Sequence, residues 1–456
     1  MSDAEALMWR LDKDPHLTST FSALSILDRA PDFAALRARM EQASIAVPRL
    51  RWRVQPAPVN LAPPTWVDDP DFDLDHHVRR IALPKPGTMR QLLDLAALLT
   101  ADALDRNRPL WQFVVIEGLR GGRAALLQKM HHSLTDGEGG VQLALQYLDL
   151  ERDPPPRPPV DAAETEVAPP PPPPTAAETL LDVVASGFRL PIGIARQVRE
   201  LLADPAAIPA ASAATMDTIR AVLEQLADAE RARSPLWTAR SLRRRLEVVR
   251  APFEPVKDAA KRLGGTLNTA FVTAAAEAAS RYHADLGAPV DELCATMAVS
   301  TRTSAREANA FTLARMLVPT APMPIAERFA RIQEAADEAR AATTSASLGT
   351  LAAVASALPT SLVTRIARQQ AQTVDFATSN VRGAPMPVYI AGARLLENYP
   401  LGPLVGVAFN LTLLSYDGSL DMGVHLDAAA VAEPELLVKH LDGAFADLVA
   451  SAEPCA

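Results

Sequence analysis

The sequence predicts an α/β fold of mixed sheets covered by helices, built as two domains. Three observations carry that reading. Runs with period-2 hydrophobicity alternate with runs of period 3.6 along most of the chain, the pattern of layered sheet and helix. The stretch "DPPPRPPVDAAETEVAPPPPPPT", residues 153–175, holds eleven of the 39 prolines and divides the chain. At 456 residues, 48% of them apolar, the chain exceeds one ordinary core and suits two of ~200 residues each. The expected organisation is a first domain over 1–152, a linker over 153–175 that favours extended polyproline II, and a second domain over 176–456.

The elements follow in order. "STFSALSIL" and "RWRVQP" are expected as strands, "FAALRARMEQASIAV" and "MRQLLDLAALLTADAL" as helices with apolar residues at i, i+3 and i+4. "WQFVVIEG" and "RAALLQKM" flank the turn "LRGG" and predict a hairpin. Beyond the linker a helical region is expected to about Ala232, then strand "LEVVRA" and helix "EPVKDAAKRL", stopped by Gly264 and Gly265. A helix from Thr266 to about His283 precedes the strands "LCATMAVST" and "TLARMLVPT". The helices "IAERFARIQEAADEARAA" and "LGTLAAVASALPTSLVTRIARQQAQ" come next. The strands "VDFATSN", "PVYIAGARLLEN", "GVAFNLTLLSY" and "LDMGVHL" and a closing helix finish the chain.

Composition removes several function classes. With 45 basic against 54 acidic residues the chain lacks the cationic surface a general nucleic-acid binder needs. Two cysteines, Cys294 and Cys455, make no disulfide framework and suit a reducing, cytoplasmic interior. The start "MSDAEALMWRLDKD" carries acids where a signal peptide needs a basic region and an apolar one. No run of ~18 uncharged apolar residues offers a spanning helix. Peripheral contact with an inner membrane face or a lipid inclusion stays open.

The chemistry concentrates in "QKMHHSLTDGEGG", residues 128–140. Strand "RAALLQKM" runs up to His131, and the glycines at 137, 139 and 140 end extended structure before the helical "VQLALQYL". Adjacent residues on an extended backbone point to opposite sides. His131 and His132 therefore do not share one ligand, and no metal site is expected, nor a helical HxxxD face where glycines break the helix. One imidazole is left to work in a cleft, taking a proton near pH 7 and returning it. Asp136 either orients that ring or locks the loop, and Gly137 permits positive φ or close approach. The pair His76–His77 in "DLDHHVRR" lacks the aspartate and the glycines and is read as a strand edge without function.

"HHSLTDG" resembles the HHxxxDG motif of the acyl-CoA-dependent acyltransferase superfamily, which includes chloramphenicol acetyltransferase and condensation domains of peptide synthetases. The remaining motifs resemble one branch, the bacterial wax ester synthase/diacylglycerol acyltransferase family. "RPLW" at Arg108–Trp111 looks like its PLW motif, and "GGTLNTAFV" at Gly264–Val272 like its Asn-Asp segment. "SNVRGAPMPVYIAGARLLENYPLGPLVGVAFNLTLLSYDGSL" is similar to its C-terminal block. Two departures stand out: Asn268-Thr269 in place of Asn-Asp, and Arg382-Gly383-Ala384 in place of Pro-Gly-Pro.

The resemblance implies two chloramphenicol-acetyltransferase-like domains with the active site in a tunnel between them. It implies His132 as general base in the esterification of a long-chain alcohol or diacylglycerol by fatty acyl-CoA, which is a substrate, with no cofactor held permanently. His131 accompanies it, Asp136 and Gly137 shape the loop, and Trp111 and Asn268 act structurally. Thr412 is a candidate oxyanion donor. The arginines at 240, 243, 244, 245 and 250 suit CoA phosphates, an anionic membrane or plain solvation. The alternatives are condensation-type acyl transfer, to an amine or from a carrier-protein thioester, and a lipid-binding protein of the same fold without turnover.

Overall fold

The computed structural model describes residues 1–56, 64–135, 137–155, 232–300, 311–343 and 360–451. Most of the proline-rich segment, nearly all of the helical region expected after it, and the first part of the helix expected up to Gln372 lie outside the described residues. In chain order, helix α1 (Asp3–Leu11) leads to strand β1 (Thr20–Leu27), helix α2 (Phe33–Ala46) and the short strands β2 (Trp52–Gln55) and β3 (Thr65–Asp68). One helical turn, α3 (Leu74–His77), precedes β4 (Val78–Ala82) and α4 (Met89–Ala101). The hairpin β5 (Trp111–Leu119) and β6 (Arg123–His131) and helix α5 (Gly137–Ala144) follow. After the linker come β7 (Arg244–Pro252), α6 (Phe253–Arg262), α7 (Leu267–Asp285), β8 (Glu292–Ser300), β9 (Phe311–Pro319) and α8 (Ile325–Thr343). Helix α9 (Thr360–Ala371), strands β10 (Phe376–Arg382), β11 (Tyr389–Ile390), β12 (Ala393–Leu401), β13 (Phe409–Tyr416) and β14 (Ser419–Asp427), and helix α10 (Pro434–Ser451) complete it.

Two six-stranded sheets result, ordered β11-β12-β1-β6-β5-β4 and β7-β14-β13-β10-β8-β9. The mixed α/β fold matches the expectation, but the sheets do not divide at the linker. Strands β11 and β12 follow it in sequence yet belong to the first sheet, with Leu401 opposite Ser22 and Leu395 opposite Leu27. Without them β1 would be an open edge beside a buried core, an arrangement that proteins avoid. The segment "PVYIAGARLLEN", expected as one strand, folds as a hairpin. Ala391 (φ 45) and Gly392 (φ 81) both take left-handed backbone, which a two-residue hairpin turn requires. Only the glycine announces this in sequence.

Helix α4 lies in the crossover between the parallel strands β4 and β5, as parallel pairing demands. Its Leu92 and Ala96 pack with Val114, Ile116, Ala125 and Leu127 of the first sheet. The opposite face buries Leu126 and Met130 among aromatic residues. In the second half α7 is buried almost all round, and its run of alanines lets strands and helices close on it. Helix α1 was not anticipated, although Ser2 and Glu5 form the reciprocal capping box that marks such a start.

Strand β12 is also where the two sheets meet. A Cβ on Gly423 of β14 would lie 2.1 Å from the Pro400 carbonyl oxygen, so only glycine permits the crossing. Beside it the Asn398 amide donates to the buried Asp421 carboxylate at 2.7 Å, and Arg250 Nε donates to the other oxygen at 2.9 Å. Burial pushes the Asp421 carboxyl up while these bonds pull it back. Across the seam, Arg90 of α4 pairs with Glu247 of β7 at 2.6 Å and donates to the Leu246 carbonyl. Gly423→Ala should therefore cost at least ~2 kcal/mol, the range of overpacking in a closed core, read by urea unfolding. An unchanged midpoint would mean the sheets do not approach so closely.

Candidate functional site

The histidine pair sits where β6 ends, in the middle of the first sheet. His131 is opposite Thr20 of β1, and Met130 is opposite Trp111 of β5. The main-chain amides of His131 and His132 donate to the carbonyls of Leu110 and Ser19, each at 3.0 Å. Neighbouring strands thus hold both residues while their side chains part, as the strand period requires.

His131 is sealed, 1% exposed. The Ser133 amide donates to its Nδ1 at 3.0 Å, the Ser133 hydroxyl lies 2.7 Å from the same atom, and Nε2 is 3.7 Å from Asp12 Oδ1. Burial alone would push the Asp12 carboxyl up; the hydrogen bond and charge of His131, the Thr18 hydroxyl and Arg106 outweigh it, and the net shift is downward. This ring clamps the turn to the loop before β1.

His132 is only partly buried, its ring 4.5 Å from that of Phe21 with 36° between planes. Phe21 in turn stands opposite Met130. The glycines that follow do not break the helix as expected; Gly137 opens α5 and Gly139 and Gly140 lie in it. First-turn amides have no intrahelical partner in any case, and a Cβ on Gly140 would sit 4.0 Å from Phe21 Cζ. An alanine at 140 would make only ordinary contact there, so the start of α5 lies beside the ring next to His132 without requiring the glycine. Asp136 lies outside the described residues. Among the described residues no three His, Cys, Asp or Glu side chains gather to hold a metal.

The other sequence candidates fall around this turn at varying distance. Trp111 is 1% exposed, and its indole nitrogen donates to the Leu50 carbonyl at 2.8 Å. His77, read from sequence as part of a strand edge, is instead fully buried at the end of α3. It stacks between Phe72 and Trp111, centroids 5.2 and 4.5 Å away, with Nδ1 2.7 Å from the Trp111 carbonyl oxygen. Its signal was the Asp73 cap that starts a helical turn just before the strand. The Asn268 amide donates to Met297 Sδ at 2.7 Å within the second half. Thr269, the departure from Asn-Asp, is the third residue of the α7 first turn, bonded to the Thr266 and Gln333 side chains. In this chain Thr269 serves the first turn of α7. Gly383, the retained centre of the other departure, donates its amide to Ser415 O, and a Cβ there would come within 2.5 Å of that oxygen.

Thr412 Oγ1 accepts from the Gly402 amide at 3.2 Å and donates to Asn410 Oδ1 at 3.0 Å. Gly402 continues β12, which pairs with β1, the strand beside β6. Its single proton is engaged, and it serves an oxyanion only if the Asn410 bond opens. Of the arginine group, Arg244 pairs with Asp427, Arg245 with Glu247 and Arg250 with Asp421. Arg240 donates instead to the carbonyls of Trp237, Ala239 and Gly406.

Comparison with known proteins agrees with this layout. A family model described as the wax ester synthase/diacylglycerol acyltransferase catalytic domain matches residues 1–271, and one for the WS/DGAT C-terminal domain matches 308–449. A Mycobacterium tuberculosis protein named as a diacylglycerol O-acyltransferase is 35% identical over 99% of this chain and 92% of its own length. A second one from that organism is 29% identical over 96% and 93%. The solved wax ester synthase/diacylglycerol acyltransferase from Marinobacter aquaeolei VT8 superposes with a TM-score of 0.67 at 23% identity, covering 98% of both chains. The starter condensation domain of rhizomide synthetase, solved with C8-CoA, gives 0.57 at 12% identity over 99% and 94%. These last two show the shared fold.

The buried imidazoles give the protein a pH signature. Burial pushes His77 down to about 4, the Trp111 carbonyl pulling the other way, and pushes His425 to about 4 against the Gly402 carbonyl. Unfolded, each titrates near ~6.5. Between these values the unfolded chain binds protons that the folded one refuses. Stability is therefore whole above ~6.5 and drains as pH falls toward 4, by a few kcal/mol in all. Denaturant unfolding at pH 7, 5.5 and 4.5 should show the loss, and His77→Phe, which keeps the stack, should flatten it. Equal slopes in both proteins would contradict a neutral His77.

Proposed function

The chain belongs to the wax ester synthase/diacylglycerol acyltransferase family and is an acyltransferase, and from that premise we propose that His132 is its general base in O-acylation of a long-chain alcohol or diacylglycerol by fatty acyl-CoA. The observation that carries this reading is the division of labour in the pair. His131 is locked between Ser133 and Asp12, while His132 is the partly exposed ring at the end of the central hairpin, facing away from that clamp.

The neutral imidazole withdraws the proton from the acceptor hydroxyl as its oxygen attacks the thioester carbonyl. The tetrahedral adduct collapses, the carbon–sulfur bond breaks, and the imidazolium returns its proton to the departing CoA thiolate. The ester and free CoA leave, and the enzyme is unchanged. Asp136 and Gly137 shape the loop, and Trp111 fixes β5 beside the histidines. The substrates meet in a tunnel between the lobes and enter from opposite ends. Because they are lipids, peripheral contact with a membrane or lipid inclusion on the cytoplasmic side belongs to the proposal. No helix among the described residues is long and apolar enough to cross a bilayer.

Release of CoA from palmitoyl-CoA, measured with and without a long-chain alcohol or diacylglycerol, tests the reaction. Release that depends on the alcohol supports it; tight acyl-chain binding with no release would leave a lipid carrier. His132→Ala should lower the rate by ~10²–10⁴ with little change in melting temperature. His131→Ala, which opens a buried clamp, should lower the melting temperature. Full activity in the His132 variant would remove the mechanism.

A further inference from the structure

Between the halves, beside the loop that precedes β1, lies a recess of about 200 Å³ lined by His16 and Leu17 from the first half and by Arg240, Arg368 and Gly406 from the second. Pockets that enclose a whole drug-sized ligand start at roughly 300 Å³, so this one suits a single compact group. Its charge says which. Arg368 is paired with Asp14 at 2.9 Å, and the adjoining Arg244 with Asp427 at 3.7 Å. The surplus cation is Arg240, with no carboxylate in ion-pair distance among the described residues; its Nε and Nη1 donate to main-chain carbonyls, which leaves Nη2 for a ligand. Asp375, farther off, is occupied by the amides of Arg233, Ser234 and Cys294. Burial lowers the Arg240 guanidinium from its ordinary value, yet an arginine stays protonated at neutral pH. Such a cation is costly to bury until a counter-charge arrives.

We propose that this recess receives the diphosphate of the acyl-CoA donor, with Arg240 and Arg368 as its binding residues. The inference rests on the acyl-CoA reading above and extends it to a place. The Ser19 carbonyl holds the His132 amide, and the three residue steps from His16 to Ser19 span at most about 10 Å. A diphosphate at Arg240 therefore leaves the pantetheine arm within reach of His132. Guanidinium forks match phosphate oxygens in pairs, and the recess has room for those oxygens without the nucleotide. A phospholipid headgroup or free phosphate offers the same chemistry, and the test separates these sources.

Calorimetric titration of the full-length protein with CoA, 4′-phosphopantetheine, pantetheine and inorganic phosphate reads the site without turnover. CoA and 4′-phosphopantetheine should bind at least about tenfold more tightly than pantetheine, the worth of one charged hydrogen bond or more. Arg368→Gln and Arg240→Gln should each shrink that gap about tenfold. Arg240 also ties down three carbonyls, so the half-exposed Arg368 keeps the test valid if the Arg240 variant does not fold. No measurable CoA binding, or equal losses for all three thiols, would overturn the assignment. So would variants that bind CoA normally but lose affinity for inorganic phosphate or for phosphatidic acid vesicles. A protein that binds CoA through these arginines yet shows no alcohol-dependent release would defeat the catalytic reading alone.

Discussion

Strand β12 ties the molecule together: by sequence it belongs to the second half, by hydrogen bonding to the first sheet. It completes the edge of β1, and its far end crosses β14 so closely that Gly423 has no room for a methyl group. The buried Asp421 bridges the same crossing through the Asn398 amide and Arg250. With two lobes sharing a strand, their relative position is set by backbone geometry rather than by side-chain packing alone. Everything at the seam, including the turn after β6, inherits that precision.

The site follows from it. Because β6 lies inside the sheet, its last residue His131 is held by Leu110 and the next residue, His132, by Ser19 on the other side, and successive residues turn their rings apart. One imidazole becomes part of the scaffold and the other is left to the cleft. The start of α5 lies beside Phe21, and Phe21 stands against His132. On the same face as Phe21, Trp111 and His77 make a stacked wall that anchors β5. In the proposed mechanism the chemistry rests on this partly exposed ring, beside which Phe21 stands.

Much of this was legible in the residues. Hydrophobic period gave the sheets and their helices, and strand alternation separated His131 from His132 before any coordinates. What escaped was non-local. Nothing in "PVYIAGARLLEN" says that it pairs with a strand more than 350 positions earlier, and Ala391 hides its left-handed turn because alanine seldom adopts it. His77 looked idle because its partners, Phe72 and Trp111, meet it only after folding. The glycines of the motif suggest a helix break because propensity penalises them, yet they stand in the opening residues of α5. Thr269, where the resembling family has an aspartate, lies in the first turn of α7, bonded to the Thr266 and Gln333 side chains.

The central claim is that His132 stands where an acceptor hydroxyl meets a thioester between two lobes joined by β12. A structure of the protein with CoA and a long-chain alcohol bound together tests it most directly. The account predicts the alcohol oxygen within hydrogen-bond reach of the His132 ring, ~2.6–3.2 Å, with the CoA sulfur close by on the other side. An alcohol and a sulfur that meet elsewhere, with His132 touching neither, would contradict it.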